Sequence, residues 1–177
     1  MAILKVARMG HPVLRTRAQA VDRRDLKSPR IQRLIDDMIE TMHEYRGVGL
    51  AAPQVHEELR IFLAVVEDGD EKETLLRPTV VVNPELTMSG ETVEDWEGCL
   101  SIPDIRGKVS RPKETHLRGL DRHGAPLELR LRDYPARVVQ HEYDHLDGIL
   151  FFDRMRSFET LTFLDEYGKF WSRDRDD

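Results

Sequence analysis

Cysteine is nearly absent: the 177 residues contain one, Cys99. A single thiol closes no internal disulfide, which fits a reducing compartment. Such a residue is either a small buried hydrophobe or a functional thiol, and its neighbours must decide which. Long apolar runs are missing too. No stretch of about 18 apolar residues occurs, so no membrane-spanning helix is expected. The segment Met1–Arg8 lacks an apolar core followed by a small-residue cleavage site, and does not read as a signal peptide. Nor is there an excess of positive charge. A formal net charge of −6 argues against a general nucleic-acid binder and against direct DNA binding, while leaving room for local basic patches. No internal repeat and no low-complexity segment breaks the chain. What remains, 40% hydrophobic and 34% charged, is the make-up of one globular domain, residues 1–177, with a real core.

Residues 1–27 read as irregular, with a turn at Gly10-His11-Pro12. Ser28-Pro29 then opens a helix, a cap followed by proline at the first position. Ile31, Leu34, Ile35, Met38, Ile39 and Met42 form one apolar stripe along it, and Gly47 is placed to end it. The small, nearly chargeless run from Gly47 to Val55 reads as a loop whose glycines permit close backbone approach. It lacks the lysine and the glycine spacing of a phosphate loop. Strands are expected over 60–66 and 79–83, with 85–88 continuing beyond Pro84, then at 107–110, 114–120 and 126–131. A polar turn is expected over 67–72 and a hairpin turn at Asp121-Arg122-His123-Gly124. A C-terminal helical tail is expected from about 157 to 171, with Phe158, Leu161, Phe163 and Leu164 against the body. Strands in the middle with helices flanking them make an α+β fold, its sheets mostly antiparallel and packed around the helix described next.

That helix carries His141-Glu142-Tyr143-Asp144-His145, an H-E-x-x-H pattern. Asp133 and Pro135 suit its start, Val138, Val139, Tyr143 and Leu146 give it apolar positions, and Gly148 can end it in a left-handed conformation. One turn apart, the two histidines share a face and can hold one metal ion. Glu142 sits about 100° further round the axis, too far to share the ion but near enough to take a proton from a water that the ion activates. A catalytic site of this kind needs a third ligand. Cys99, in Trp96-Glu97-Gly98-Cys99-Leu100-Ser101, is the candidate, while His11, His43, His56, His116 and His123 lie singly among charged or turn residues.

Three segments together, Gly47-Val48-Gly49-Leu50-Ala51-Ala52-Pro53-Gln54, Glu97-Gly98-Cys99-Leu100-Ser101 and Gln140-His141-Glu142-Tyr143-Asp144-His145, resemble the signature motifs of the peptide deformylase family, in order and at similar spacing. The resemblance runs from about His11 to Phe152. It implies hydrolysis of the formyl group from the N-terminal formyl-methionine of newly made polypeptides. It implies one divalent ion, ferrous iron (Fe2+) in the family, with Zn2+, Ni2+ or Co2+ able to take its place. The metal ligands would be Cys99, His141 and His145, and Glu142 would handle the proton. Gln54, through its side-chain amide, and Leu100, through its backbone N–H, would receive the oxyanion. Gly49 and Gly98 would pair with the extended substrate, and Val48 and Val138 would wall its methionine pocket. Glu97 would pair with Arg111, and Asp144 would orient a ligand histidine. The family often ends in a basic ribosome-contacting helix, whereas this tail mixes both signs of charge. A bacterial cytoplasm is the implied location, an organelle form the alternative. An H-E-x-x-H endopeptidase finds no third-ligand motif downstream of the helix, and a non-catalytic binder would have no need of Glu142 and Gln54.

Overall fold

The computed structural model describes residues 2–66 and 77–172; the expected turn over 67–72 lies outside them. A short helix α1 (Arg23–Leu26) precedes α2 (Pro29–Glu44). Strands β1 (Gly49–Ala51), β2 (Ile61–Ala64), β3 (Thr79–Cys99), β4 (Ile102–Leu120) and β5 (Pro126–Arg132) lead to α3 (Asp133–Leu146). A two-residue strand β6 (Thr162–Phe163) and helix α4 (Leu164–Phe170) follow. The strands form one antiparallel sheet in the order β1-β2-β3-β4-β5, and β6 pairs with the N-terminal part of β4. The α+β architecture built around the histidine-bearing helix is therefore present. None of the described helices is long and apolar enough to cross a membrane.

Period-two alternation sorts the sheet's side chains onto two helices. Leu50, Ile61, Leu63, Val80 and Val82 face α2, where they meet Ile31, Leu34, Ile35, Met38 and Met42. Ala51, Phe62, Ala64 and Val81 face the other way, against Val138, Val139 and Leu146 of α3. All four residues of β2 are buried, which is why this stretch reads as a continuous apolar run rather than an alternating one. Each such side chain contributes about 1.5–3 kcal/mol on burial. The sheet is thus a rigid partition, and α3 is fixed on one side of it with its histidines at the sheet's end.

Ser28 caps α2 as expected, its hydroxyl accepting from Ile31 N–H. The end of α2 differs from expectation. The helix stops at Glu44, and Arg46, at φ 53°, takes the left-handed turn instead of Gly47. Gly47 is small for another reason: a Cβ there would lie 3.0 Å from Leu100 Cδ1. The expected loop after it is also more regular, β1 followed by a 3-10 turn over Ala52–Val55. Pro84 does not break β3, because it falls in the register shift between Val82 and Glu85, where a missing N–H costs no ladder bond. Two strands expected at 107–110 and 114–120 are one, β4. Asp133 does not cap α3: the N-cap is Arg132, and Asp133 itself takes φ 54°. Gly148 does end that helix at φ 72°, and a Cβ there would meet Arg15 O at 2.7 Å. In the tail, helix is confined to Leu164–Phe170, since Thr162 and Phe163 join the sheet. Leu161 packs on the body, whereas Phe158 and Phe163 are 68% and 61% exposed and Leu164 is 43% exposed.

Candidate metal centre

Two long strands deliver the sulfur and one helix delivers the imidazoles. β3 and β4 are joined by the turn Leu100–Ser101, where Cys99 pairs with Ile102. Cys99 therefore sits at a hairpin tip, held by a ladder that runs back to Val82. On α3, His141 and His145 share a face with ring centroids 5.0 Å apart. Cys99 Sγ is 3.3 Å from His145 Nε2, and ligand atoms of all three residues lie within 4.8 Å of one another. Donors that bind an ion at about 2.0–2.3 Å each must crowd together to this extent. A thiolate with two imidazoles suits one divalent ion of the Zn2+, Fe2+, Co2+ or Ni2+ kind, so the residues present fit the group.

Glu97 orients the first histidine. Its Oε2 lies 2.9 Å from His141 Nδ1. A carboxylate accepts, so Nδ1 donates and Nε2 is left bare for an ion. Glu97 is itself buried and gripped by two arginines. Arg111 Nε and Nη2 donate to it at 2.6 and 2.9 Å, and Arg137 Nη1 donates at 2.7 Å. Burial alone would push this carboxyl up, but the hydrogen bonds from His141 and Arg111 and the charge of Arg111 hold it far below the ordinary range. The expected Glu97–Arg111 pair is present. Asp144, expected on a ligand histidine, is not there: it accepts from Arg111 Nη1 at 2.8 Å and from Arg154 Nη2 at 2.8 Å. It acts one arginine further out.

Ionisation of the histidines follows from these neighbours. Burial opposes charge on His141, yet Cys99 and Glu97 outweigh it and raise the ring's pKa well above its usual value. Burial, reinforced by positive charge on His141 and Arg111, keeps His145 neutral. A proton here stands where a cation would: the sulfur and Glu97 make the spot favourable for positive charge.

Gln54 is buried on the 3-10 turn after β1. Its Oε1 accepts from Ala51 N–H at 2.8 Å, which aims Nε2 toward Cys99 Sγ at 3.5 Å and Ser101 Oγ at 3.2 Å. Leu100 follows Cys99 in the hairpin turn, so its backbone N–H belongs to the same corner. Glu142 is 5% exposed, and its Oε2 has no hydrogen-bond partner. Burial is the main reason its pKa is pushed up to about 7. Gly49 lies against it: a Cβ there would sit 2.3 Å from Glu142 Oε1.

A cleft of about 610 Å³ opens over these groups, with Val48, Gly49, Gly98, Leu100, Val138 and Glu142 in its lining. The cleft also takes in Gln54, Cys99 and His141, while His145 completes the sulfur–imidazole group. Arg137 was not foreseen in its role. It is 7% exposed, and besides Glu97 it donates to the carbonyls of Val109 and Val93 at 2.8 and 2.7 Å. The signal was a charged residue four positions before His141, on the helix face that must be buried. Ser101, next to Cys99 and bonded to Gln54, carried no such signal.

The comparisons with known proteins agree with this geometry. A family model described as polypeptide deformylase matches residues 3–160. A peptide deformylase of Pelotomaculum thermopropionicum is 42% identical over 161 residues, 91% of this chain and 97% of the relative. Peptide deformylase 2 of a Nostoc species is 40% identical over 164 residues, 90% of each chain. Among solved structures, the Thermotoga maritima peptide deformylase superposes with a TM-score of 0.79 at 39% identity, covering 89% of this chain and all of that one. An Acinetobacter baumannii class I type b peptide deformylase with Met-Ala-Ser bound gives 0.80 at 38% identity, covering 87% and 99%. With the motifs, the converging ligands and the fold in agreement over nearly the whole chain, this protein belongs to the peptide deformylase family.

Proposed function

We propose that the cleft deformylates N-formyl-methionyl peptides with Glu142 as the proton carrier and Gln54 and Leu100 as oxyanion donors, while Cys99, His141 and His145 hold one ferrous ion. The observation that carries this reading is the unpartnered Glu142 Oε2, buried beside the sulfur–imidazole cluster. When bound, the ion supplies the Lewis acidity that makes water nucleophilic near neutral pH. Glu142 takes the proton as attack on the formyl carbon proceeds and returns it to the departing amine. A carboxyl whose pKa is near 7 is well matched to both halves of that task. Gln54 Nε2 and Leu100 N–H receive the charge that develops on the formyl oxygen, each donor being worth about 3 kcal/mol of barrier.

The substrate lies extended along the cleft. β1 is an edge strand, so the backbone around Gly49 has an open side, and that around Gly98 pairs only with β4 among the described strands. Strand addition to these edges holds the peptide backbone, and Val48 and Val138 receive the methionine side chain. The Met-Ala-Ser bound to the Acinetobacter relative supports ligands of this chemistry for this cleft. Iron is assigned on family resemblance, since the donor set alone accepts Zn2+, Ni2+ and Co2+ equally. By family resemblance the reaction belongs in a bacterial cytoplasm, with an organelle form as the alternative. Any transient ribosome contact runs through the tail, and ribosome binding that survives removal of residues 157–177 contradicts that contact.

The test is Glu142→Ala, assayed by formate release from formyl-Met-Ala under anaerobic conditions with metal content measured in parallel. The variant should keep its metal and lose nearly all turnover. Turnover close to wild type would assign the proton to another group.

A further inference from the structure

We propose that the C-terminal segment Thr162–Trp171 forms one wall of the cleft and selects an apolar side chain one or two residues after the formyl-methionine. This rests on the peptide lying along Gly49 and Gly98 as above. The region shared with the family model ends at residue 160, so this wall is supplied by chain outside it.

The register of the sheet places the segment. Gly98 of β3 pairs with Arg106 of β4, and Arg106 pairs with Thr162 of β6. Two strand spacings, about 10 Å, therefore separate the Gly98 backbone from β6. The side chains close the gap. The stem of Arg106 runs over Gly98, where a Cβ would lie 3.6 Å from its Cγ, and its guanidinium lies 5.2 Å from the Tyr167 ring centroid. Tyr167 and Trp171 both meet Trp96 edge-on, with centroids 4.9 and 5.5 Å apart. α4 is thus fastened to the strand that ends in Cys99. Its first residue, Leu164, is 43% exposed and lines the same cleft as Cys99, Gln54 and Glu142, beside Ile105 and Trp96.

An extended peptide advances about 3.3 Å per residue. With the formyl carbon at the metal site, the first and second residues beyond methionine lie about 7–10 Å further along the cleft, and the tail reaches that cleft through Leu164. Leu164, Ile105 and Trp96 all line this cleft and give an apolar side chain surface to bury against, while the Arg106 guanidinium is engaged over the Tyr167 ring. Formyl-Met-Ala offers only a methyl group at the first of these positions and nothing at the second, so it serves as an internal control.

The experiment compares nickel-loaded wild type and Leu164→Asp on formyl-Met-Ala and formyl-Met-Leu-Phe. The variant should lose about five- to tenfold in kcat/KM on the tripeptide, through KM, and stay within about twofold on the dipeptide. Equal losses on both substrates, or none on either, would overturn the proposal. A second measurement needs no variant. The chain has two tryptophans, Trp96 and Trp171, and both belong to this wall. Titrating wild type with the unformylated product Met-Leu-Phe should shift tryptophan emission, and Met-Ala should not. Unchanged emission on saturation with Met-Leu-Phe overturns the wall even if Leu164→Asp fails to fold. If wild type releases no formate from formyl-Met-Ala, the deformylation site itself fails and the wall falls with it.

Discussion

Replacing Gly49 by alanine tests the placement of Glu142 without touching a ligand or a charge. Gly49 is not in the left-handed region, so the backbone accepts alanine without strain. Space is the obstacle. The new Cβ would lie 2.3 Å from Glu142 Oε1, 2.7 Å from Cδ and 2.8 Å from Cγ. Carbon atoms rest comfortably at about 3.5–4.0 Å, so the carboxyl group must retreat by about 1 Å. A displacement of that size in a reacting group costs about 100-fold in rate. Glu142 lines the cleft, so its side chain is displaced in that direction. The expected result is therefore a kcat lowered about 100-fold, with KM little changed and full metal content. If β1 moved away from α3 instead, overpacking would cost about 1–3 kcal/mol of stability. A thermal melt run beside the formate assay separates the two responses. Gly49→Ala with wild-type kcat and wild-type stability would refute the reasoning, because the contact would then constrain nothing that matters to catalysis.

Glu97→Ala should be the most damaging of the substitutions away from the ligands. It removes one buried carboxylate from Arg111 and Arg137, which keep only Asp144 and two backbone carbonyls, at a cost of a few kcal/mol, and frees His141 Nδ1, which should weaken metal affinity about 10- to 100-fold. Urea unfolding and a metal-competition titration check the two effects, and unchanged affinity would remove Glu97 from the site. Asp153 should show its effect through pH. Burial would raise its pKa, but bonds from Arg15 and from Leu150 N–H lower it below the ordinary 3.8. A lowered carboxyl pKa stabilises the fold above the unfolded value and loses that contribution as pH falls. Asp153→Asn should therefore cost about 1 kcal/mol at pH 7, after discounting for solvent screening, or about 2–4 °C in Tm, and less at pH 3, below the ordinary 3.8. An equal Tm gap at both pH values would contradict this. Finally, the iron form should lose activity in air faster than the nickel form, since ferrous iron and a thiolate both oxidise readily; equal lifetimes would argue against iron chemistry at the sulfur.

Helix positions were legible because their signals are local. The stripe from Ile31 to Met42 and the Ser28-Pro29 start each lie within one element, and the structure keeps both. Helix ends were less legible. Arg46 turns left-handed although Gly47 is the next residue, and Gly47 instead packs where a Cβ would meet Leu100 Cδ1 at 3.0 Å. A local rule assigned the glycine to the turn, and a tertiary contact used it elsewhere. The tail shows the same effect: Thr162 and Phe163 leave the helical pattern because the outer edge of β4 offers hydrogen bonds at Ile105 and Arg106.

The site divides along the same line. His141, Glu142 and His145 form a pattern within five residues, and helix geometry alone puts them together. Nothing local relates them to Glu97. That residue reaches His141 because β3 and β4 pair from Val82 to Cys99 through three register shifts, and a shift of one residue would turn Glu97 to the opposite face. The exchange of partners between Glu97 and Asp144 follows from this. Asp144, three residues from His141 on the same helix, was the nearer choice by sequence. It points instead at Arg111 and Arg154, while the hairpin carries a better-placed carboxylate to the histidine. Arg137 completes the logic. A carboxylate buried to orient a ligand needs compensating cations, and one of them comes from the ligand helix itself, one turn before His141. The hairpin and the helix are thus held together by the same ionic cluster that orients the imidazole. Loosening either element should therefore show first in metal affinity, before the fold gives way.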